Sequence, residues 1–184
     1  SFKIRQICVF SNNNNMKTNK NLVLLGMMGS GKSTIGKILS KKTGYKFIDI
    51  DKKIEQRENL SILKIFEIKG EDYFRNLEKE ITLKYLEYKK VIISLGGGAF
   101  LNKTIQKKVF KSSISIWLNW NSNTLIKRIK NSKKRPITLS LNEFEIKKLI
   151  EERNIIYSRA LFKLDCENLK KNEISEYIIK NFIK

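Results

Sequence analysis

The 184-residue sequence predicts an α/β fold, three layers deep, with a parallel sheet between two sets of helices. Three observations predict it. Short apolar runs alternate with helical patterns along the chain, a glycine-rich loop joins the first run to its helix, and Asp49, Asp51 and Gly96-Gly97-Gly98 fall at the ends of later runs. Ligands of open parallel sheets gather at the carboxyl ends of the strands, so the same observations point to where function resides.

The elements follow in order. Residues 1–20 contain the run Asn12–Asn15 and no acidic residue, and read as a loosely attached N-terminal extension ahead of one domain over 21–184. Met16 offers a start within it, and a targeting segment is the weaker reading. Leu22-Val23-Leu24-Leu25 is the first strand and 32–43 the first helix; Phe47–Ile50 is the second strand. Helical patterns follow near 51–58, 61–69 and 70–88, with Ser61 as an N-cap and Gly44 and Gly70 where helices stop. Val91–Leu95 is a buried strand ending at the glycine triplet. Then come a helix near 102–111, the strand Ile114–Leu118 and a helix near 122–130. The polar stretch 131–141 holds the only proline, Pro136, and reads as a mobile flap. A helix near 143–161, a strand near 162–166 and a helix near 172–183 finish the chain.

Gly26-Met27-Met28-Gly29-Ser30-Gly31-Lys32-Ser33-Thr34 has the spacing of a phosphate-binding P-loop. Average residue usage produces that spacing by chance in roughly 1% of chains this long. Backbone amides of Gly29, Ser30 and Gly31, with the positive end of the helix dipole, would cradle phosphates. Lys32 would reach the β- and γ-phosphates, and the Ser33 hydroxyl would take a Mg²⁺ coordination site, next to Thr34.

Composition narrows the chemistry. There is no histidine, so proton transfer falls to a carboxylate, Lys, Tyr or solvent. Cys8 and Cys166 fit no metal spacing and suit a reducing compartment. No apolar run approaches the roughly 20 residues of a membrane span, so the chain is expected to be cytoplasmic and without a membrane partner. The net charge of +20 comes from 31 Lys and only 7 Arg, spread over every helix, and reads as a solvated surface rather than a nucleic-acid face. Against that background the seven arginines, Arg5, Arg57, Arg75, Arg128, Arg135, Arg153 and Arg159, stand out, because Arg offers a planar fork that Lys cannot copy.

Singly these features have bland readings: Asp51 as a helix cap, the triplet as a turn, Arg75 as a surface charge. In combination they carry a resemblance. Residues 26–36, Asp49-x-Asp51, Phe74-Arg75, Ser94-Leu95-Gly96-Gly97-Gly98-Ala99, Arg135-Pro136 and Arg153 followed by Tyr157 resemble the shikimate kinase family over about residues 20–184. The resemblance implies a P-loop fold like that of nucleoside monophosphate kinases, with a five-stranded parallel sheet and a lid at about 131–141. It implies transfer of the γ-phosphoryl of ATP to the 3-hydroxyl of shikimate, toward chorismate and the aromatic amino acids, by a monomer. By resemblance, Asp51 accepts the substrate hydroxyl's hydrogen bond and takes its proton, and Lys32 and Arg135 neutralise the phosphoryl group. Arg75, Arg153, Gly97 and Gly98 bind the acid substrate, Arg128 stacks on adenine, and Asp49 holds Mg²⁺ through water. Many relatives carry a proline in the last loop where this chain reads Asp165 to Lys171, which implies a looser adenine clamp. A gluconate-type small-metabolite kinase or a noncatalytic nucleotide-binding relative are the alternatives, and a nucleic-acid-binding module would rest on charge alone.

Overall fold

The computed structural model describes residues 20–131 and 141–183. Its strands are β1 (Asn21–Leu25), β2 (Lys46–Asp49), β3 (Val91–Ser94), β4 (Ser113–Asn119) and β5 (Phe162–Asp165). They form one parallel sheet in the order β2-β3-β1-β4-β5. The helices are α1 (Lys32–Thr43), α2 (Ile50–Glu58), α3 (Ile62–Leu86), α4 (Lys103–Ser112), α5 (Ser122–Lys130), α6 (Glu143–Tyr157) and α7 (Lys171–Phe182). A short 3₁₀ turn spans Ala99–Leu101. The expected N-terminal extension through residue 19, and 132–140 of the expected lid with Arg135 and Pro136, lie outside the described residues. No helix of the described residues is long and apolar enough to cross a membrane.

β1 explains the layering. All five of its residues are buried, as a strand covered on both faces must be. With side chains alternating along the strand, Leu22 and Leu24 join Ile35 and Leu39 of α1 and Ile174 and Ile178 of α7 on one face. Val23 and Leu25 join Phe74 and Ile81 of α3 and Ile146 and Ile150 of α6 on the other. Because β3 and β4 flank β1, the chain switches direction across the sheet there. The loop after β1 therefore opens into the crevice where such folds bind ligands.

Several boundaries differ from the sequence reading. Ile50 belongs to α2, not to β2, because Asp49 caps that helix, its side chain accepting from the Lys52 amide. The patterns at 61–69 and 70–88 do meet at Gly70 as expected, where φ is 80° and ψ 172°, and α3 is two helical stretches joined across that kink. Only glycine adopts that backbone at little steric cost. Ser61 caps this helix as expected. The helix expected near 143–161 stops at Tyr157, and residues after it turn back, with the Leu161 amide donating to Ser115 Oγ at 2.9 Å.

Candidate active site

Loops after β1 and β3 and the direct β2–α2 junction build the site, and helices α3, α5 and α6 bring side chains to it. The β1 loop runs through Gly26, Gly29 and Gly31 at φ of 144°, 79° and 88°. At Gly26 a Cβ would also lie 2.9 Å from the Leu118 carbonyl. Gly31 opens α1 without a side-chain cap, and the first turn holds no acid, so its amides and dipole favour an anion. Lys32 lies across the loop, its Nζ donating to the carbonyls of Gly26 at 2.6 Å and Met27 at 3.0 Å. It is only 9% exposed.

Beside Lys32, Ser33 Oγ donates to Asp49 Oδ2 at 2.5 Å. A hydroxyl and a carboxylate side by side at a phosphate loop are oxygen donors of the kind Mg²⁺ takes, since that ion keeps waters and phosphate oxygens as its other ligands. Among the described residues no cluster of three or more His, Cys, Asp or Glu could hold a metal without such help.

The third loop supplies the opposite wall. Gly97 O accepts from Arg153 Nη1 at 2.8 Å and from the Tyr157 hydroxyl, so two residues of α6 fasten the triplet. A Cβ on Gly97 would come within 3.8 Å of the Met28 amide nitrogen, which places this loop against the P-loop backbone. A Cβ on Gly98 would lie 2.5 Å from Arg75 Nη1 and 3.0 Å from Arg153 Nη1. Two guanidinium groups therefore converge on Gly98. Burial pushes the Arg153 pKa below the usual arginine range, and the nearby Arg75 charge adds to that while Tyr157, Glu78 and Glu71 oppose it. The group stays charged, and a carboxylate beside it would restore the solvation it has lost. Arg75, Arg153, Gly97 and Gly98 line a cleft whose remaining wall is apolar, including Met28, Phe66, Phe74 and Leu149.

Arg75 is held on its own helix by Glu71 Oε1 at 3.1 Å and Glu78 Oε2 at 2.8 Å. Glu78 escaped the sequence reading. It is 2% exposed, and its other oxygen, Oε1, has no hydrogen-bond partner among the described residues. Burial pushes its pKa up from 4.5, against the Arg75 guanidinium, which favours the charged form. Asp51 stands in the first turn of α2, next to the capping Asp49. Its Oδ1 faces Gly96, where a Cβ would lie 2.8 Å away and 2.5 Å from Glu78 Oε1. The cap reading thus belongs to Asp49, and Asp51 is turned toward the third loop.

Arg128, on α5, donates from Nη1 to the Gly29 carbonyl at 3.0 Å and lies over the Trp120 ring, Cζ 3.9 Å from its centroid. Trp120 was also missed by sequence. The loop after β5 is tied to the start of α5 through Glu167, whose Oε2 accepts from the Asn121 amide at 2.9 Å. Buried Cys166 in that loop has its thiol pKa pushed up to about 12 by burial, so it is inert as a nucleophile.

A glycine-rich phosphate loop and a cleft lined by two guanidinium groups thus share the P-loop backbone as a common wall, and the class is that of the P-loop small-molecule kinases. Residues 28–183 match the family model for shikimate kinase, and the chain belongs to the shikimate kinase family. A shikimate kinase from Persephonella marina is 39% identical over 160 residues, covering 87% of this chain and 97% of that protein. The structure of shikimate kinase from Acinetobacter baumannii in complex with shikimate superposes with a TM-score of 0.84 at 26% identity, over 90% of this chain and 93% of that one. The enzyme from Aquifex aeolicus gives a TM-score of 0.77 at 37% identity, over 87% of this chain and 94% of that one.

Proposed function

We propose that this chain transfers the γ-phosphoryl group of ATP to the 3-hydroxyl of shikimate, giving shikimate 3-phosphate and ADP. The carrying observation is the contact between the glycine triplet, with Arg75 and Arg153 on it, and the P-loop backbone at Met28. An acid held by those two arginines lies beside the phosphate cradle. Phosphoryl transfer needs little beyond such alignment and charge neutralisation.

In this reading the substrate carboxylate pairs with the Arg75 and Arg153 guanidinium groups, while Gly97 and Gly98 allow the ring close to backbone. Asp51 accepts the hydrogen bond of the attacking hydroxyl. As the new oxygen–phosphorus bond forms and the bond to the β-phosphate oxygen breaks, the proton passes to Asp51 and on to water. Amides of Gly29, Ser30, Gly31 and Thr34 hold the phosphates. Lys32 moves from the loop carbonyls to the β- and γ-phosphates, and Arg135 supplies a second cation from the lid. Ser33 would ligate Mg²⁺ directly and Asp49 through water; the ion's contribution is to neutralise charge on the β- and γ-phosphate oxygens. Arg128 stacks on adenine. The reading includes a monomeric enzyme, and the small soluble substrates suit the cytoplasm.

A coupled ADP-release assay with shikimate, quinate and gluconate side by side tests the reading. Turnover with shikimate well above the other two is expected. Equal turnover with gluconate, or none with any acid, overturns it.

A further inference from the structure

We propose that Trp120 is a positioning residue for the nucleotide base, forming with Arg128 a stacked platform anchored to the P-loop. This rests on the nucleotide reading above and extends it to a residue that no motif marks. Trp120 follows the last residue of β4. Its Nε1–H donates to the Ser30 carbonyl at 2.9 Å, and its ring face carries the Arg128 guanidinium 3.9 Å from the centroid. The guanidinium edge donates to the neighbouring Gly29 carbonyl at 3.0 Å. Two consecutive carbonyls of the phosphate loop are thereby held by one stacked pair.

The arrangement fixes the plane of an otherwise exposed side chain. An arginine on a helix surface samples many rotamers, and ordering it to meet a base costs conformational entropy. With one face on the indole and one edge on Gly29, the guanidinium is already oriented before a nucleotide arrives. Its other face is left for a planar base, since guanidinium groups stack on aromatic rings on either side. The close approach of Gly29 fits this geometry, because a Cβ there would lie 3.1 Å from Arg128 Cβ. The platform supplies rigidity on the inner side of Arg128, in a chain whose last loop reads Asp165 to Lys171 rather than carrying a proline.

Trp120→Leu removes both the stack and the indole N–H, whereas Trp120→Phe keeps an aromatic face and loses only the N–H. Calorimetric titration of the purified full chain with ADP, inorganic pyrophosphate and shikimate separates the contributions. Trp120→Leu should weaken ADP about three- to tenfold, as expected for one stacking contact and one hydrogen bond. Trp120→Phe should recover part of that loss. Pyrophosphate should lose less than ADP and shikimate affinity should hold, while Tm falls somewhat because Trp120 packs against the core. In steady state the KM for ATP should rise with little change in the KM for shikimate. Unchanged ADP affinity in Trp120→Leu overturns the platform, as does an equal loss for pyrophosphate, or a parallel loss for shikimate that marks a merely structural role. Because ADP binding is read without turnover, failure here is distinguishable from absence of shikimate-dependent activity.

Discussion

Glu78 holds Arg75 by a 2.8 Å ion pair one turn along the same helix, while being itself buried to 2% exposure. Such a carboxylate is expensive to keep ionised, and its raised pKa records that cost. What it provides is a fixed guanidinium at the cleft.

Glu78→Gln separates the two effects. The folded pKa lies above the unfolded value near 4.5, so the folded state binds the proton more tightly. Stability from this group is therefore full below the unfolded value and is lost as pH rises through the raised one. Urea denaturation at a series of pH values should show the stability difference moving in the variant's favour across that window. The KM for shikimate should rise at neutral pH, because Arg75 loses its charged partner. A difference in stability that does not vary with pH would contradict the assignment.

Asp51→Asn keeps the shape of the side chain and removes its capacity to take a proton. The expected result is a kcat lower by roughly 10²–10⁴ with ADP affinity retained, since a general base acts mainly in the transition state. Rapid-quench measurement of the transfer step checks it. Near-normal turnover would remove Asp51 from the chemistry.

The site-bearing half of the sheet was legible because β1, β2 and β3 run into Gly26, Asp49 and Gly96, at the ends where a parallel sheet collects its ligands. The arginines of the cleft were legible against a lysine background. Glu78 was not. In sequence it is one more acid three residues from an arginine on a helix, a pattern that ordinarily lies on a solvated face. Its burial comes from Gly96 of a distant loop, whose missing side chain leaves room for both Glu78 Oε1 and Asp51 Oδ1. Trp120 was hidden for a similar reason, since its partners Ser30 and Arg128 belong to other elements. Asp49 and Asp51 could be told apart only once the start of α2 was fixed. Gly70 was legible as a helix stop, since its backbone leaves the helical range and a second helix resumes beyond the kink.

Gly98→Ala probes the cleft without straining the backbone, because Gly98 sits at φ −106°, a conformation alanine shares. Its Cβ would stand 2.5 Å from Arg75 Nη1, the far end of a flexible side chain. Arg75 must move, and the fold need not. Stability should change little while the KM for shikimate rises about 10- to 100-fold, the loss expected of one charge-assisted hydrogen bond. ADP affinity measured by calorimetry should stay at the wild-type value, and a parallel loss of ADP binding would show that the triplet serves the phosphate loop instead.

Gly36 makes a different demand, on packing. It lies on α1 facing β2, where a Cβ would fall 2.1 Å from Phe47 Cε2 and 2.5 Å from its Cδ2. Alanine is the better helix former by about 1 kcal/mol, and in an open position Gly36→Ala would stabilise. Here a rigid ring blocks the methyl group, so α1 must lift from the sheet or Phe47 must leave its rotamer, at about 1–3 kcal/mol. The steric term wins, and a lower urea midpoint with an unchanged slope is expected. Gly36→Ala combined with Phe47→Ala removes the collision, so the second substitution should cost less in that background than in wild type. Strict additivity of the two changes would mean that the helix and strand are not held at this distance by the glycine.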